Sequence, residues 1–122
     1  MKRITIVGAG STGHALAAIL SINGHEVYLT DTSAYTDVLE KSARYGTIKI
    51  RGTVTGEGTP KCITTNVASA LERAELIICC TISNRDEEVA QMLAPFVTPE
   101  KPVLLSAGNC GSIIYHRVFE QY

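Results

Sequence analysis

The 122-residue chain balances 11 lysines and arginines against 12 acidic residues for a formal net charge of −1, and 45% of its residues are hydrophobic. That length suits one domain with a real core. The near-neutral charge excludes the basic stripe of a nucleic-acid binder, and no apolar run approaches the ~20 residues of a membrane-spanning helix. The charged start Met1-Lys2-Arg3 leads into too short an apolar run for a signal peptide. Cys62, Cys79, Cys80 and Cys110 show neither C-x-x-C spacing nor paired histidines, so no zinc site is expected. Cys79 and Cys80 sit inside an apolar run and read as buried thiols of a reduced, cytoplasmic compartment.

In chain order, "RITIV" (3–7) is a β-branched apolar run ending at glycine, a buried strand. Residues 11–22 form a helix with Ala15, Leu16, Ile19 and Leu20 as its apolar stripe, stopped by Asn23-Gly24. "HEVYLTD" (25–31) is the next strand. Thr32 or Ser33 caps a second helix reaching about Arg44, with Gly46 at its end. "TIKIRG" (47–52) alternates as a half-exposed strand, "TGEGTP" (55–60) is turn chemistry, and "KCITTN" (61–66) returns as the partner strand of a β-hairpin excursion. Asn66 caps a short helix through Leu71, and "AELIICCTI" (74–82) is a central strand apolar on both faces. Residues 84–97 form an amphipathic helix whose regular part Pro95 limits to about Ala94. "KPVLLSAG" (101–108) is another buried strand. The last helix begins at Gly111 and places Ile114, Tyr115, Val118, Phe119 and Tyr122 on one face. Strands alternating with helices imply an α/β, doubly wound, mostly parallel sheet of Rossmann type, with the hairpin around 47–66.

Residues 8–13, Gly8-Ala9-Gly10-Ser11-Thr12-Gly13, spell G-x-G-x-x-G. Taken alone, such glycines equally suit a plain strand-to-helix turn. Here a strand precedes them, a helix opens within them, and the second strand ends in Asp31, 18 positions after Gly13. That context is the dinucleotide fingerprint. Gly8 permits the tight turn, Gly10 removes a side chain so that a pyrophosphate reaches the backbone, and Gly13 lets helix pack on strand. The unpaired N–H groups of the first helical turn and the helix dipole favour the anion. Asp31 accepts hydrogen bonds from the adenosine ribose and repels a 2′-phosphate, which favours NAD over NADP. Thr32-Ser33 brings no cation, and Lys41 is the nearest one downstream. A helix N-cap is the plain alternative for Asp31, and FAD shares the fingerprint.

The nicotinamide end should cross the later strand ends at residues 81–84 and 106–111, small and polar loops that include Thr81, Ser83 and Asn109. No catalytic residue emerges. His14 packs or faces solvent on the first helix, His25 lies at the far edge of the sheet, and His116 has no acid or nucleophile at useful spacing. Cys110 has no visible base. Asp86-Glu87-Glu88 opens a helix, where carboxylates complement the dipole.

"ITIVGAGSTGHALAAILSINGHEVYLTD", "YGTIKIRG", "ITTNVASALERAELIICCTI" and "VLLSAGNCGSIIYHRVF" resemble, in that order, the N-terminal half of the octopine/nopaline (opine) dehydrogenases. These are relatives of ketopantoate reductase and 6-phosphogluconate dehydrogenase. The resemblance covers essentially the whole chain; one departure is Ala107, where the family turn has proline. It implies an oxidoreductase that condenses an amino acid with a 2-keto acid and reduces the imine with NAD(P)H. Carried over by position, Gly8, Gly10 and Gly13 hold the pyrophosphate, Asp31 the ribose, and Thr81, Ser83 and Asn109 lie near the nicotinamide. It also implies that residues 1–122 are the dinucleotide-binding domain alone. The catalytic histidine–acid pair and the substrate pocket belong to a further domain, without which the chain is inactive and can pair with a second copy through an exposed apolar patch. The alternative, from a different functional class, is a free-standing nucleotide sensor like the regulatory Rossmann domains of potassium-transport systems.

Overall fold

The computed structural model describes every residue except Ala107, so the part of the 101–108 strand and 106–111 loop readings that falls on Ala107 lies outside the described residues. In chain order the elements are β1 (Arg3–Val7), α1 (Ser11–Ile22), β2 (Glu26–Thr30), α2 (Thr36–Tyr45), β3 (Ile48–Ile50), β4 (Gly56–Gly58), β5 (Cys62–Ile63), α3 (Val67–Leu71), β6 (Leu76–Cys79), α4 (Asp86–Leu93), β7 (Val103–Leu105) and α5 (Gly111–Gln121). Single 3-10 turns at Ser33–Tyr35 and Ser83–Arg85 lead into α2 and α4.

β5, β2, β1, β6 and β7 form one parallel sheet in that order. Chain order reverses at β1, so the carboxyl ends of β1 and β6 open a crevice between the two halves. This is the Rossmann-type α/β fold expected from alternating strands and helices. Ile4, Ile6, Val27, Leu29 and Ile78 pack with Ala17 and Leu39 on one face. Val7, Ile77 and Cys79 pack with Leu71, Val89, Leu93 and Tyr115 on the other. Alternation along β1 thus feeds two cores, and β6 is apolar throughout because both faces are covered.

The hairpin exists, but its return strand is β4 rather than residues 61–66, with Ile48 opposite Gly58 and Ile50 opposite Gly56. A side chain at position 58 would meet the Ala18 carbonyl oxygen at 2.3 Å, so glycine lets β4 lie directly on α1. Cys62 and Ile63 instead extend the main sheet beside Tyr28 and Leu29. The most buried residues of α1 are Gly13, Ala17 and Ala18 rather than the expected stripe of Ala15, Leu16, Ile19 and Leu20: Gly13 lies against the Gly8 backbone, Ala17 packs in the core and Ala18 lies against Gly58. Leu16 and Leu20 are half-buried beside the core. β7 is also no buried strand: it is the sheet edge, and Leu104 is 54% exposed. On α5, Tyr115 and Val118 reach the core while Tyr122 is exposed.

Candidate functional site

The glycine loop joins β1 to α1 at the crevice. Gly8 N–H donates to the Thr30 carbonyl (2.9 Å) and Cys80 N–H donates to the Val7 carbonyl (2.8 Å), which pins the loop between β2 and β6. Gly8 has φ +136°, and a Cβ there would press on the Cys80 backbone at 2.9 Å. At Gly13 a Cβ would lie 1.7 Å from the Gly8 carbonyl oxygen, so only glycine allows α1 to start against the strand end. Gly10 differs. Its backbone is extended (φ −85°, ψ −168°), and a Cβ would meet nothing within 4 Å. No side chain caps α1 and no acidic residue occupies its first turn, while Gly10, Ser11 and Thr12 are exposed. The first-turn N–H groups and the positive end of the helix dipole therefore face open space, a cradle suited to an anion. His14 braces this loop, with Nδ1 3.0 Å from the Gly10 carbonyl oxygen and Nε2 2.8 Å from Ser42 Oγ on α2.

Asp31 follows β2 beside the loop, as the spacing predicts, but its carboxylate is turned inward and only 2% exposed. Oδ2 accepts the Ala9 N–H at 2.7 Å, and Oδ1 accepts the Thr32 N–H at 2.7 Å. Arg85, from the turn after β6, donates Nη2 to Oδ1 at 2.8 Å and to Thr32 Oγ1 at 2.8 Å, with its guanidinium 4.5 Å above the Tyr35 ring. Burial alone would lower the Arg85 pKa, but the Asp31 carboxylate outweighs it and holds the guanidinium above its ordinary value. Asp31 thus locks the loop to the end of β2 as well as placing charge there. Sequence spacing carries no signal for Arg85, which lies 54 positions from its partner.

The second half of the site is a cleft of about 360 Å³ lined by Thr12, Cys80, Thr81, Ile82, Ser83, Ser106 and Asn109. It gathers three of the residues expected at the nicotinamide end, and Asn109 Nδ2 donates to Ser83 Oγ at 2.9 Å, linking the loops after β6 and β7. Asn109 (φ 45°) and Cys110 (φ 63°) both adopt the left-handed conformation, which swings Asn109 back across the cleft before α5 begins. None of the lining residues is a histidine or carboxylate, and desolvation pushes the Cys80 thiol up to about 11. Asp86 is buried, which raises its pKa, and it stands against Gly111 at the start of α5, where the helix dipole accommodates it. The other histidines lie elsewhere: His25 Nδ1 accepts the Lys2 N–H, and His116 pairs with Glu120 on the exposed face of α5.

The model of the family described as ketopantoate reductase PanE/ApbA matches residues 4–109. Glycerol-3-phosphate dehydrogenase (NAD(P)+) of Bacillus subtilis strain 168 is 31% identical over 103 residues, which cover 80% of this chain and 28% of that protein. Opine dehydrogenase of Arthrobacter sp. strain 1C is 24% identical over 123 residues, 95% of this chain and 32% of that protein. Among solved structures, octopine dehydrogenase with NADH and pyruvate superimposes with a TM-score of 0.73 at 20% identity, over 84% of this chain and 28% of that one. The chain spans about three tenths of the length of the curated relatives it matches.

Proposed function

The chain belongs to the ketopantoate reductase PanE/ApbA family, and on that premise we propose that it is the dinucleotide-holding domain of an opine dehydrogenase-like oxidoreductase. The observation that carries this reading is the uncapped start of α1 at Gly10, where no protein atom lies within 4 Å of the side-chain position and the first-turn N–H groups are open to an anion. There the N–H groups of residues 10–13 receive the pyrophosphate, the adenosine ribose lies toward Asp31, and the nicotinamide lies in the cleft of Thr81, Ser83 and Asn109. Asp31 puts an anion at the adenosine end, which favours NAD(H) over its 2′-phosphorylated form.

When bound, NAD(P)H supplies the hydride. The chain's own residues position it: Gly13 fixes the helix start, Asp31 and His14 hold the loop, and Asn109 narrows the cleft through Ser83. No proton donor or acceptor suited to neutral pH lines that cleft among the described residues. The acid–base groups and the substrate pocket for an amino acid and a 2-keto acid are therefore assigned to a further domain, and this chain by itself binds cofactor without turnover.

Calorimetric titration with NADH, NADPH and ATP tests the reading. Submillimolar NADH binding, tighter than ATP, is expected. No binding of any nucleotide by well-folded chain would reject it, and tighter binding of ATP would favour a nucleotide sensor instead.

A further inference from the structure

The sequence places no cation beside Asp31, yet the fold supplies one. Arg85 Nη2 bonds both Asp31 Oδ1 and Thr32 Oγ1, and its Nε lies 3.5 Å from Glu88 Oε2. A guanidinium carries five N–H donors, and those on Nη1 have no protein acceptor among the described residues. The Asp31–Arg85 pair is nearly dry, with side-chain exposures of 1% and 13%, whereas Glu88 is 53% exposed and its charge is largely screened.

The NAD preference of a fingerprint carboxylate rests on an uncompensated negative charge that repels a 2′-phosphate. Here that charge is neutralised at 2.8 Å by the more exposed member of the pair. Three of the roughly four acceptor positions of a carboxylate are already filled, by the Ala9 and Thr32 N–H groups and by Arg85. Within the Asp31–Arg85 pair the charge nearer to solvent is thus a planar cation whose geometry suits bidentate contact with phosphate oxygens.

We infer that Arg85 is a specificity-determining residue: by neutralising Asp31 and keeping its Nη1 donors uncommitted, it lets the adenosine end take a dinucleotide bearing a 2′-phosphate as well as NADH. This rests on the dinucleotide reading above and deepens it. Asp31 sets a preference for NADH, and Arg85 relaxes it. In a site of this kind NADPH binds within about tenfold of NADH, because the repulsion and attraction nearly cancel.

The test is the ratio of the NADPH to the NADH dissociation constant, measured by fluorescence titration of the 122-residue chain and its variants. In Arg85→Gln the ratio rises at least tenfold, because Asp31 is left uncompensated. In the Asp31→Asn, Arg85→Gln double variant it returns toward the original value, and this neutral pair also serves should the single variant not fold. A ratio unchanged in both variants, or discrimination against NADPH beyond about a hundredfold in the unmodified chain, overturns the inference while leaving NADH binding intact. Failure of folded protein to bind either nucleotide overturns the dinucleotide reading itself.

Discussion

Gly10 and Gly13 stand three residues apart in one motif, and the structure assigns them opposite sensitivities. An alanine methyl at position 13 would sit 1.7 Å from the Gly8 carbonyl oxygen and 2.8 Å from the Gly8 carbonyl carbon. Both atoms are backbone, so no rotamer can yield, and α1 must retreat by more than an ångström from the end of β1. Overpacking of this kind costs about 1–3 kcal/mol, and the rigid backbone on both sides places Gly13→Ala near ~3 kcal/mol. Against a total stability of roughly 5–15 kcal/mol and a urea m value of about 2 kcal/mol/M, the unfolding midpoint falls by about 1.5 M. Gly10→Ala meets nothing within 4 Å and has a backbone conformation open to alanine, so its midpoint stays close to that of the unmodified chain. If the proposed site holds, its methyl group would instead stand on the side from which the pyrophosphate approaches, and NADH affinity should fall at least tenfold. The paired assay is urea unfolding followed by fluorescence and NADH titration of each folded variant. Equal stability for Gly13→Ala, or undiminished NADH binding by Gly10→Ala, would refute this reasoning.

Other consequences follow from the same contacts. Asp31→Ala strands the Ala9 and Thr32 N–H groups and leaves Arg85 without its partner; a loss of about 3–5 kcal/mol in urea unfolding is expected, and less than ~1 kcal/mol would contradict the buried pair. Asn66→Ala removes the side-chain acceptor for the Ser69 N–H at the start of α3 and should cost about 1 kcal/mol, measurable in the same way. Burial pushes the Cys79 thiol up to about 12, whereas an unfolded thiol ionises near ~8.5. Because the folded value is raised, this contribution is complete below the unfolded pKa and is lost as pH climbs toward the folded one. Between about pH 9.5 and 10.5 Cys79 alone removes ~1.4 kcal/mol, and Cys79→Ala should flatten that slope; an unaltered slope would exclude the thiol as its source.

Local chemistry wrote much of this fold legibly. Asn66 caps α3, Gly46 ends α2, and β1, the glycine loop, α1 and β2 follow one another as their residue types require. Long-range partnership was less legible. Glycines at 56 and 58 look like turn residues until α1 is seen pressed against them, and only then does β4 become a strand. Leu104 reads as core in a run of apolar residues, yet no element covers its face of β7 among the described residues. In the site, Asp31 was found by spacing, but spacing cannot report where a carboxylate points. Its inward bond to Ala9 and its pairing with Arg85 depend on two strand ends meeting across β1. Thr81, Ser83 and Asn109 line one cleft because parallel strands bring their carboxyl ends to a common edge.

The most direct test of the dinucleotide site is an amide-resolved NMR titration of the chain with NADH. The account predicts saturable shifts concentrated at residues 10–13 and 31–35, and at 81–85 and 109–111 around the cleft, with the hairpin turn at 51–55 unaffected. Shifts that spare residues 10–13 while saturating elsewhere, or a spectrum of folded protein that NADH leaves unchanged, would contradict it.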